Sequence, residues 1–345
     1  MLYHSAQIRE INLWWDARID FKKGYRYLLD LNGVVVGKTS KIFFDFLNLQ
    51  PDTEYVLGFS LVNRLGEVVG ERETVKVKTL PPPKTMDYKI IDFHTHPFLT
   101  DKTNICSHLE YANMSAKNTK RDFQKIGVVK ICGSVIDRVP PRQSTTFEHL
   151  RRLNDEAFAL RNLYKGFYIP GIHVHPGFVK ESIAEIERAN RNGVKLIGEL
   201  VPYMHGWENY ACKEFSEILE VAAHYRMIVN FHSGGEDEMD EMVRNHKDVL
   251  FVAAHPGSAE NFKRHLKRME MSENYFLDLS GSGIMRHGLL RHGIDEFGAE
   301  RFLFGSDYPT CNPAMFIGGV AFDFLITDNE KQKIFYQNAF KLLSL

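Results

Sequence analysis

The sequence has few of the features that mark secreted, membrane-spanning or disulfide-rich proteins. It contains four cysteines in 345 residues, and no two of them form a CxxC pair. This spacing suits neither a disulfide framework nor a zinc finger, and free thiols indicate a reducing compartment. No stretch approaches the roughly 18 uninterrupted apolar residues of a membrane span. The first residues also lack the pattern of a signal peptide, so we expect a cytoplasmic protein.

An excess of charge of one sign is also missing. The 43 Lys and Arg residues nearly balance the 44 Asp and Glu residues, which gives a net charge of −1 with neutral histidines. Binding to nucleic acid or to an anionic membrane needs a basic surface. We therefore expect neither as a partner, and we expect a small-molecule substrate instead. Assembly into a homo-oligomer is left open.

Three consecutive prolines, Pro81–Pro83, divide the sequence into two parts of different character. Because a run of prolines fits neither a helix nor a central strand, we predict a stiff linker over residues 81–87. Short β-branched and aromatic runs with turn residues between them predict a small all-β, immunoglobulin-like sandwich over residues 1–80. The strands predicted there are Ile11–Trp15, Tyr25–Leu31, Lys41–Phe46, Tyr55–Val62 and Thr74–Lys78.

This first part resembles a fibronectin type III domain. The resemblance is carried by Leu13-Trp14-Trp15 and by the run from Leu49 to Tyr55, LQPDTEY, and it covers nearly all of residues 5–80. In that family the run ends in a tyrosine that closes a corner between strands. The resemblance implies that Tyr55 and one of the two tryptophans are core residues rather than parts of a ligand site.

After the prolines, apolar β runs alternate with longer helical patterns over residues 88–345. Eight predicted strands, each followed by a crossover, are typical of a (β/α)8 TIM barrel. An open doubly wound sheet would normally carry a Gly-rich phosphate loop after its first strand, where this sequence has Asp92-Phe93-His94-Thr95-His96. The predicted fold class is therefore α/β. The predicted strands are Lys89–Phe93, Val128–Val135, Phe167–His173, Val194–Leu200, Met227–Phe231, Val249–Ala254, Tyr275–Leu279 and Arg301–Gly305.

Residues that carry chemistry follow the predicted barrel strands. His94 and His96 follow the first strand and point the same way, because side chains two apart on a strand share a face. The others, which follow strands four, five, six and eight, are Glu199, His232, His255 and Asp307. All these strand ends meet at one mouth of a barrel. Since so many buried polar groups would be costly without a cation, the sequence predicts a metal site.

This set, in this order, resembles the amidohydrolase superfamily, and within it the amidohydrolase-related branch. The matching pieces are IDFHTH at Ile91–His96, the histidines after strands five and six, RFLFGSDYP at Arg301–Pro309 and the tail NAFKLL at Asn338–Leu343. The resemblance implies one divalent metal bound by His94, His96, His232 and Asp307. Zinc is the expected ion, with manganese or iron as alternatives that use the same ligands.

The resemblance also implies catalytic roles. Asp307 would take the proton from metal-bound water, whose pKa the cation brings near neutrality. His255 would bind a second metal, or act as a base and oxyanion stabiliser. Glu199 stands in Ile197–Leu200, which is similar to the segment where TatD-type nucleases carry a glutamate that bridges two metals. Alternatively, Glu199 orients a metal-bound histidine from outside the ligand set.

Four residues of the predicted rim are candidates for substrate binding. They follow strands two, three and four and are Arg138, His173, His175 and His205. Each also has a plainer interpretation, which is loop packing for the histidines and surface exposure for the arginine.

Three functions follow. The first is a metal-dependent hydrolase in which metal-bound hydroxide attacks an amide, ester or lactone-type bond of a small molecule. The second is a metal-dependent, non-oxidative decarboxylase of an aromatic or muconate-type acid. The third is a binding or scaffold protein with an inert barrel. Two metals bridged by Glu199 would favour hydrolysis, and one metal with Glu199 outside the ligand set would leave decarboxylation open.

Overall fold

A computed structural model describes residues 1–17, 24–81, 88–106, 115–137, 145–207 and 209–345. The chain divides into two units, Met1–Thr85 and Met86–Leu345. Most of the predicted linker lies outside the described residues, and so does Arg138.

The first unit consists of two antiparallel sheets, ordered β1-β2-β5 and β4-β3-β6-β7. The strands are β1 Leu2–Ala6, β2 Ile11–Trp15, β3 Arg26–Leu31, β4 Val34–Thr39, β5 Phe43–Phe46, β6 Glu54–Val62 and β7 Val68–Lys78. Successive side chains point to opposite faces, so Trp15 is buried against Tyr27 and Phe59 whereas Trp14 is exposed. The sequence patterns did not predict β1 or β4.

The corner before β6 is closed by a tyrosine. The Tyr55 hydroxyl accepts a hydrogen bond of 2.9 Å from the backbone N–H of Gln50, and the Tyr55 ring lies at the edge of the core. This contact agrees with the expected role of Tyr55. The fibronectin type III assignment itself stays a prediction.

An ion pair between a buried aspartate and an exposed arginine joins two strands of the four-stranded sheet. Asp30 accepts hydrogen bonds of 2.8 and 2.6 Å from the Arg72 guanidinium and one of 2.9 Å from the Gly33 N–H. Gly58 leaves the necessary space, because a Cβ there would lie 1.9 Å from an Asp30 oxygen. The hydrogen bond from Arg72 holds the pKa of Asp30 below its ordinary value despite burial.

Replacing Asp30 with asparagine should lower the thermal unfolding midpoint of the first unit by about 5 °C at pH 7. A carboxyl whose pKa is depressed by folding stabilises above its unfolded pKa of about 3.9, and this stabilisation is lost as the pH falls through the folded value. The difference between variant and parent should therefore shrink in calorimetric scans at pH 3. Asp45→Asn, at an exposed position, is the control and should change little. An Asp30→Asn deficit that is equal at pH 7 and pH 3 would contradict this assignment.

The second unit is an eight-stranded parallel sheet whose strands pair in chain order. They are β8 Ile90–Asp92, β9 Val128–Ser134, β10 Tyr168–Ile172, β11 Leu196–Leu200, β12 Ile228–His232, β13 Leu250–Ala254, β14 Tyr275–Asp278 and β15 Phe302–Leu303. The first and last strands meet, since the Phe93 N–H donates to Phe304 O at 2.8 Å and the His96 N–H to Tyr308 O at 2.6 Å. The predicted α/β barrel is thus confirmed.

Helices cover the outside of this sheet. They are α1 Ala116–Lys125, α2 Phe147–Tyr164, α3 Val179–Arg191, α4 Pro202–His205, α5 Lys213–His224, α6 Glu236–Asn245, α7 Ala259–Met271, α8 Leu289–Phe297, α9 Pro313–Ala321, α10 Asp328–Gln332 and α11 Asn338–Leu342, with a π-helical turn at Lys333–Gln337. Apolar side chains fill both the barrel interior and the space between strands and helices. Among the described residues, no helix has the length and apolar character that crossing a membrane requires.

Candidate metal centre

Two histidines that follow β8 turn the same nitrogen into the barrel mouth. The Nε2 atoms of His94 and His96 lie 3.2 Å apart, and both rings are buried. His94 Nδ1 faces a carboxylate oxygen of Asp278 at 2.9 Å, and His96 Nδ1 faces the Ser134 carbonyl at 3.1 Å. Because these partners only accept hydrogen bonds, each ring carries a proton on Nδ1. In both rings Nε2 is therefore the nitrogen left to bind a cation, and the two Nε2 atoms point into the same space.

Glu199, on β11, lies between two pairs of histidines. Its Oε2 is 3.3 Å from His94 Nε2 and 3.2 Å from His96 Nε2. Its Oε1 is 2.9 Å from His232 Nδ1 and 3.6 Å from His255 Nε2. Each carboxylate oxygen thus faces the ring nitrogens of one histidine pair.

Asp307, which follows the last barrel strand β15, completes the group. Its Oδ1 lies 3.6 Å from His96 Nε2 and 3.9 Å from His94 Nε2, and its backbone N–H donates to His94 O at 2.8 Å. Asp307 and His255 both adopt left-handed backbone conformations, with φ of 60° and 69°. Such conformations are costly for residues other than glycine and concentrate at functional sites.

A serine and an aspartate hold two of the rings. The Ser280 hydroxyl donates to Asp278 and lies 3.0 Å from His255 Nδ1, whose N–H it accepts. This hydrogen bond leaves the His255 Nε2 lone pair facing Glu199. Asp278 also accepts a hydrogen bond from the His94 Nδ1–H. This one carboxylate therefore orients the His94 ring directly and the His255 ring through Ser280.

The charges in this group are strongly coupled. Burial raises the pKa of Glu199, but the charge of His94 and the hydrogen bond from His232 bring it well below its ordinary value. Burial raises the pKa of Asp278 as well, and His94 again reverses the effect. Burial raises the pKa of Asp92, beneath the site, to about 7. Glu199 and Asp278 are thus held in the anionic form that a cation requires.

The donor set fits a divalent metal. Two imidazole Nε2 atoms and a carboxylate oxygen converge within 3.2–3.3 Å of one another, and a bound cation would replace the proton that His94 otherwise carries there. Acceptors at this spacing repel one another unless a cation lies among them, and ligand bonds of about 2.0–2.1 Å to one ion produce such spacing. His94, His96 and Glu199 form one such group, and Glu199, His232 and His255 form another.

The three rim histidines are buried, and two of them face backbone carbonyls. His173 Nε2 lies 2.8 Å from Val135 O, and His175 Nε2 lies 3.0 Å from His205 O. Burial lowers the pKa of His173 to about 4 and that of His205 well below its ordinary value. The structure does not bring these side chains into the metal-ligand group. Their contact with substrate stays a prediction.

Sequence reasoning did not identify Asp278, Ser280 or the tyrosines beside the site. Tyr203 and Tyr210 line a cavity of about 180 Å³ next to His232, and the Tyr203 and His232 rings are 5.4 Å apart. Asp278 had a usable signal, because it ends the seventh strand, the same kind of position as the predicted ligands. Tyr203 and Tyr210 gave no such signal, since they lie several residues beyond the end of a strand rather than directly after it.

Replacing Asp278 with asparagine should weaken zinc binding about 10–100-fold, because His94, a candidate ligand, loses the charged partner that orients it. A zinc titration against a competing chelator measures the effect. Asp240→Asn serves as the control, because Asp240 pairs with Arg264 and Arg268 away from the site. If both variants bind zinc as tightly as the parent, Asp278 does not position the ligand.

Comparisons with known proteins identify the family and the fold of the second unit. The profile of a family described as amidohydrolase matches residues 91–345. No curated protein matches the chain. A solved 2,6-dihydroxybenzoate decarboxylase, complexed with 2,6-dihydroxybenzoate, has a TM-score of 0.61 at 13% identity over 75% of this chain and 100% of its own.

Two further solved structures share the fold. A dihydroxybenzoic acid decarboxylase from Polaromonas, with bound manganese and the inhibitor 2-nitroresorcinol, has a TM-score of 0.57 at 14% identity over 75% of this chain and 97% of its own. A probable 2-pyrone-4,6-dicarboxylic acid hydrolase from Acinetobacter baumannii, with citric acid bound, has a TM-score of 0.53 at 14% identity over 74% of this chain and 100% of its own. At these identities the likeness shows the barrel fold alone.

Proposed function

Because the chain belongs to the amidohydrolase family, we propose that it is a metal-dependent hydrolase that cleaves an amide, ester or lactone-type bond of a small molecule. The observation that carries the proposal is the position of Glu199. Its two oxygens face different histidine pairs, as a carboxylate that bridges two cations would. Two ions at one mouth suit hydrolysis, because they stabilise both the attacking and the leaving oxygen.

In this proposal each ion has its own ligands. One would be held by His94, His96 and Asp307, the other by His232 and His255, with Glu199 shared. A bound divalent cation supplies a Lewis acid and lowers the pKa of water toward neutrality. Zinc is the expected ion, and manganese is an alternative because the Polaromonas decarboxylase contains it.

Other steps of the proposed reaction are assigned to side chains at the site. The Asp307 carboxylate is partly exposed at the mouth and lies beside the His94–His96 pair, which supports a role in accepting a proton from the attacking water and passing it to the leaving group. Asp278 and Ser280 keep the His94 and His255 rings oriented. The cavity at Tyr203 offers the substrate an aromatic wall next to the reacting centre.

The test combines metal analysis with a substrate panel. Purified protein should contain two equivalents of divalent metal, and a panel of lactones, aryl esters and amides should reveal a hydrolysed substrate. Dipicolinate should abolish this activity, and added zinc or manganese should restore it. Hydrolysis that persists after the metal has been removed would overturn the proposal.

Decarboxylation is the second candidate, because the barrel is shared with decarboxylases of dihydroxybenzoates. In that case one ion would suffice, and His255 would assist protonation. Incubation with 2,6-dihydroxybenzoate and related acids distinguishes the two reactions. Release of carbon dioxide with one metal per chain, and no hydrolysis of the panel, would favour decarboxylation over hydrolysis.

The first unit and the location of the protein also belong to the proposal. The contact between Tyr55 and Gln50 supports a fibronectin type III-like domain, and the free cysteines support a cytoplasmic location. A purely binding role for the chain would leave the convergent ligand group at the barrel mouth without a purpose.

A further inference from the structure

A second cavity lies at the end of the barrel opposite the metal centre. It has a volume of about 610 Å³ and is lined by residues at the starts of several strands. Lys195 and Arg301 immediately precede β11 and β15, and Leu250 begins β13. The metal ligands stand at the carboxyl ends of the strands, so this cavity, here called the basal cavity, is separate from the candidate active site.

Four cations line the basal cavity, and none of them has a carboxylate partner among the described parts of the chain. They are Lys195, Arg226, Arg301 and Lys341. The Lys195 ammonium donates to Asn190 Oδ1 at 2.8 Å and to the Tyr225 carbonyl at 2.9 Å. The Arg226 and Lys341 side chains are exposed, and neither forms an ion pair within the described residues.

Arg301 is the most deeply placed of the four. Among the described residues, its guanidinium donates to backbone carbonyls alone, including those of Ser272 at 2.6 Å and Tyr275 at 2.9 Å. Burial lowers the pKa of this group, and the charge of Glu273, which does not line the cavity, only partly offsets that effect. The one carboxylate in the lining, Glu300, pairs with Lys333 at 2.6 Å. The positive charge of the cavity is therefore not neutralised from within.

The remaining lining is mainly apolar. The Arg301 guanidinium lies 5.7 Å from the centre of the Phe276 ring, and Leu250 and Leu342 add aliphatic surface. A volume of this size is within the range of about 300–1,000 Å³ that is usual for small-molecule sites. A ligand that matches both features carries a negative charge and an apolar body.

We propose that the basal cavity binds a small organic anion, in which a carboxylate, sulfonate or phosphate monoester meets the four cations and an apolar body packs against Phe276. Charge and apolar contact contribute together to binding. An inorganic anion would contact only the cations, and a neutral apolar molecule would contact only the apolar surface. The site does not depend on metal, because it lies at the other end of the barrel.

Benzenesulfonate is a suitable probe, since it has both features and sulfonates are weak metal ligands. Calorimetric titration of the full-length, metal-loaded protein should give saturable binding in low salt. Its neutral analogue methyl phenyl sulfone and inorganic sulfate should both bind more weakly. Raising the ionic strength should weaken binding of benzenesulfonate, because the exposed cations are screened.

The double variant Arg226→Gln/Lys341→Gln should raise the dissociation constant about tenfold, because it removes two exposed charge contacts. The control is Lys180→Gln/Arg244→Gln, which removes two exposed cations elsewhere in the same unit and should bind as the parent does. Circular dichroism and metal content verify that the variants are folded. The proposal is overturned if benzenesulfonate gives no saturable binding, if it binds no better than the neutral sulfone, or if both double variants bind it equally.

Discussion

Replacing Glu199 with glutamine should reduce bound divalent metal from two equivalents to one or fewer and lower kcat/KM about 1,000-fold. An amide has the shape of the carboxylate but no charge, so it cannot neutralise two cations. The metal contribution to transition-state stabilisation is several kcal/mol, and each 1.36 kcal/mol is about a factor of ten in rate. Metal analysis and steady-state kinetics on the substrate identified by the panel measure both effects.

Glu185→Gln is the matched control for this substitution. Glu185 is also a fully buried glutamate, but it accepts from Asn154 at 3.0 Å and from Arg188 at 2.9 Å, away from the barrel mouth. Its loss should reduce the free energy of unfolding and leave the metal content unchanged. If Glu199→Gln retains two metals and full activity, Glu199 does not bridge them.

The second large effect is expected for Asp307→Asn. In the proposed function this carboxylate both binds the ion at the His94–His96 pair and accepts a proton, so its replacement should lower kcat about 100–10,000-fold. Because Asp307 lies at the edge of the ligand group, the other ligands should still retain metal. The expected result is thus a loss of rate that exceeds the loss of metal.

Asp323→Asn is the control for Asp307. Asp323 caps a turn near the end of α9 by accepting from the Leu325 N–H at 2.9 Å, and it does not face the ligand group. Both variants should remain folded by circular dichroism. Activity of Asp307→Asn within threefold of the parent, at equal metal content, would remove Asp307 from the proposed proton transfer.

Much of the barrel could be predicted because its strands are buried on both faces. Such strands appear in the sequence as continuous apolar runs, and all eight were located to within a few residues. In the first unit, β4 was missed because its sequence does not alternate between apolar residues for the core and polar residues for the solvent. Val34, Val35 and Val36 are consecutive and all exposed. Strand β1 lies at a sheet edge and is equally poor in buried residues.

The sequence by itself determined the barrel, its family and the histidines and carboxylates of the mouth, because residue type and position along each strand are enough to place them at one end. The HxH spacing alone does not separate His94-Thr95-His96 from His173-Val174-His175, since both pairs follow a strand, and the family resemblance was what favoured the first pair as ligands. Only the tertiary structure decided that the first pair turns Nε2 toward Glu199 and the second toward backbone carbonyls.

The tertiary structure also decided the role of Asp278 and the division of Glu199 between two histidine pairs. Both depend on which side chains of non-adjacent strands approach within hydrogen-bond distance, and barrel closure sets those distances. The basal cavity likewise exists only because the tertiary structure brings distant residues together. Lys195, Arg226, Arg301 and Lys341 are widely separated in the sequence, and their charges act together only because the strand starts and the last helix surround one space.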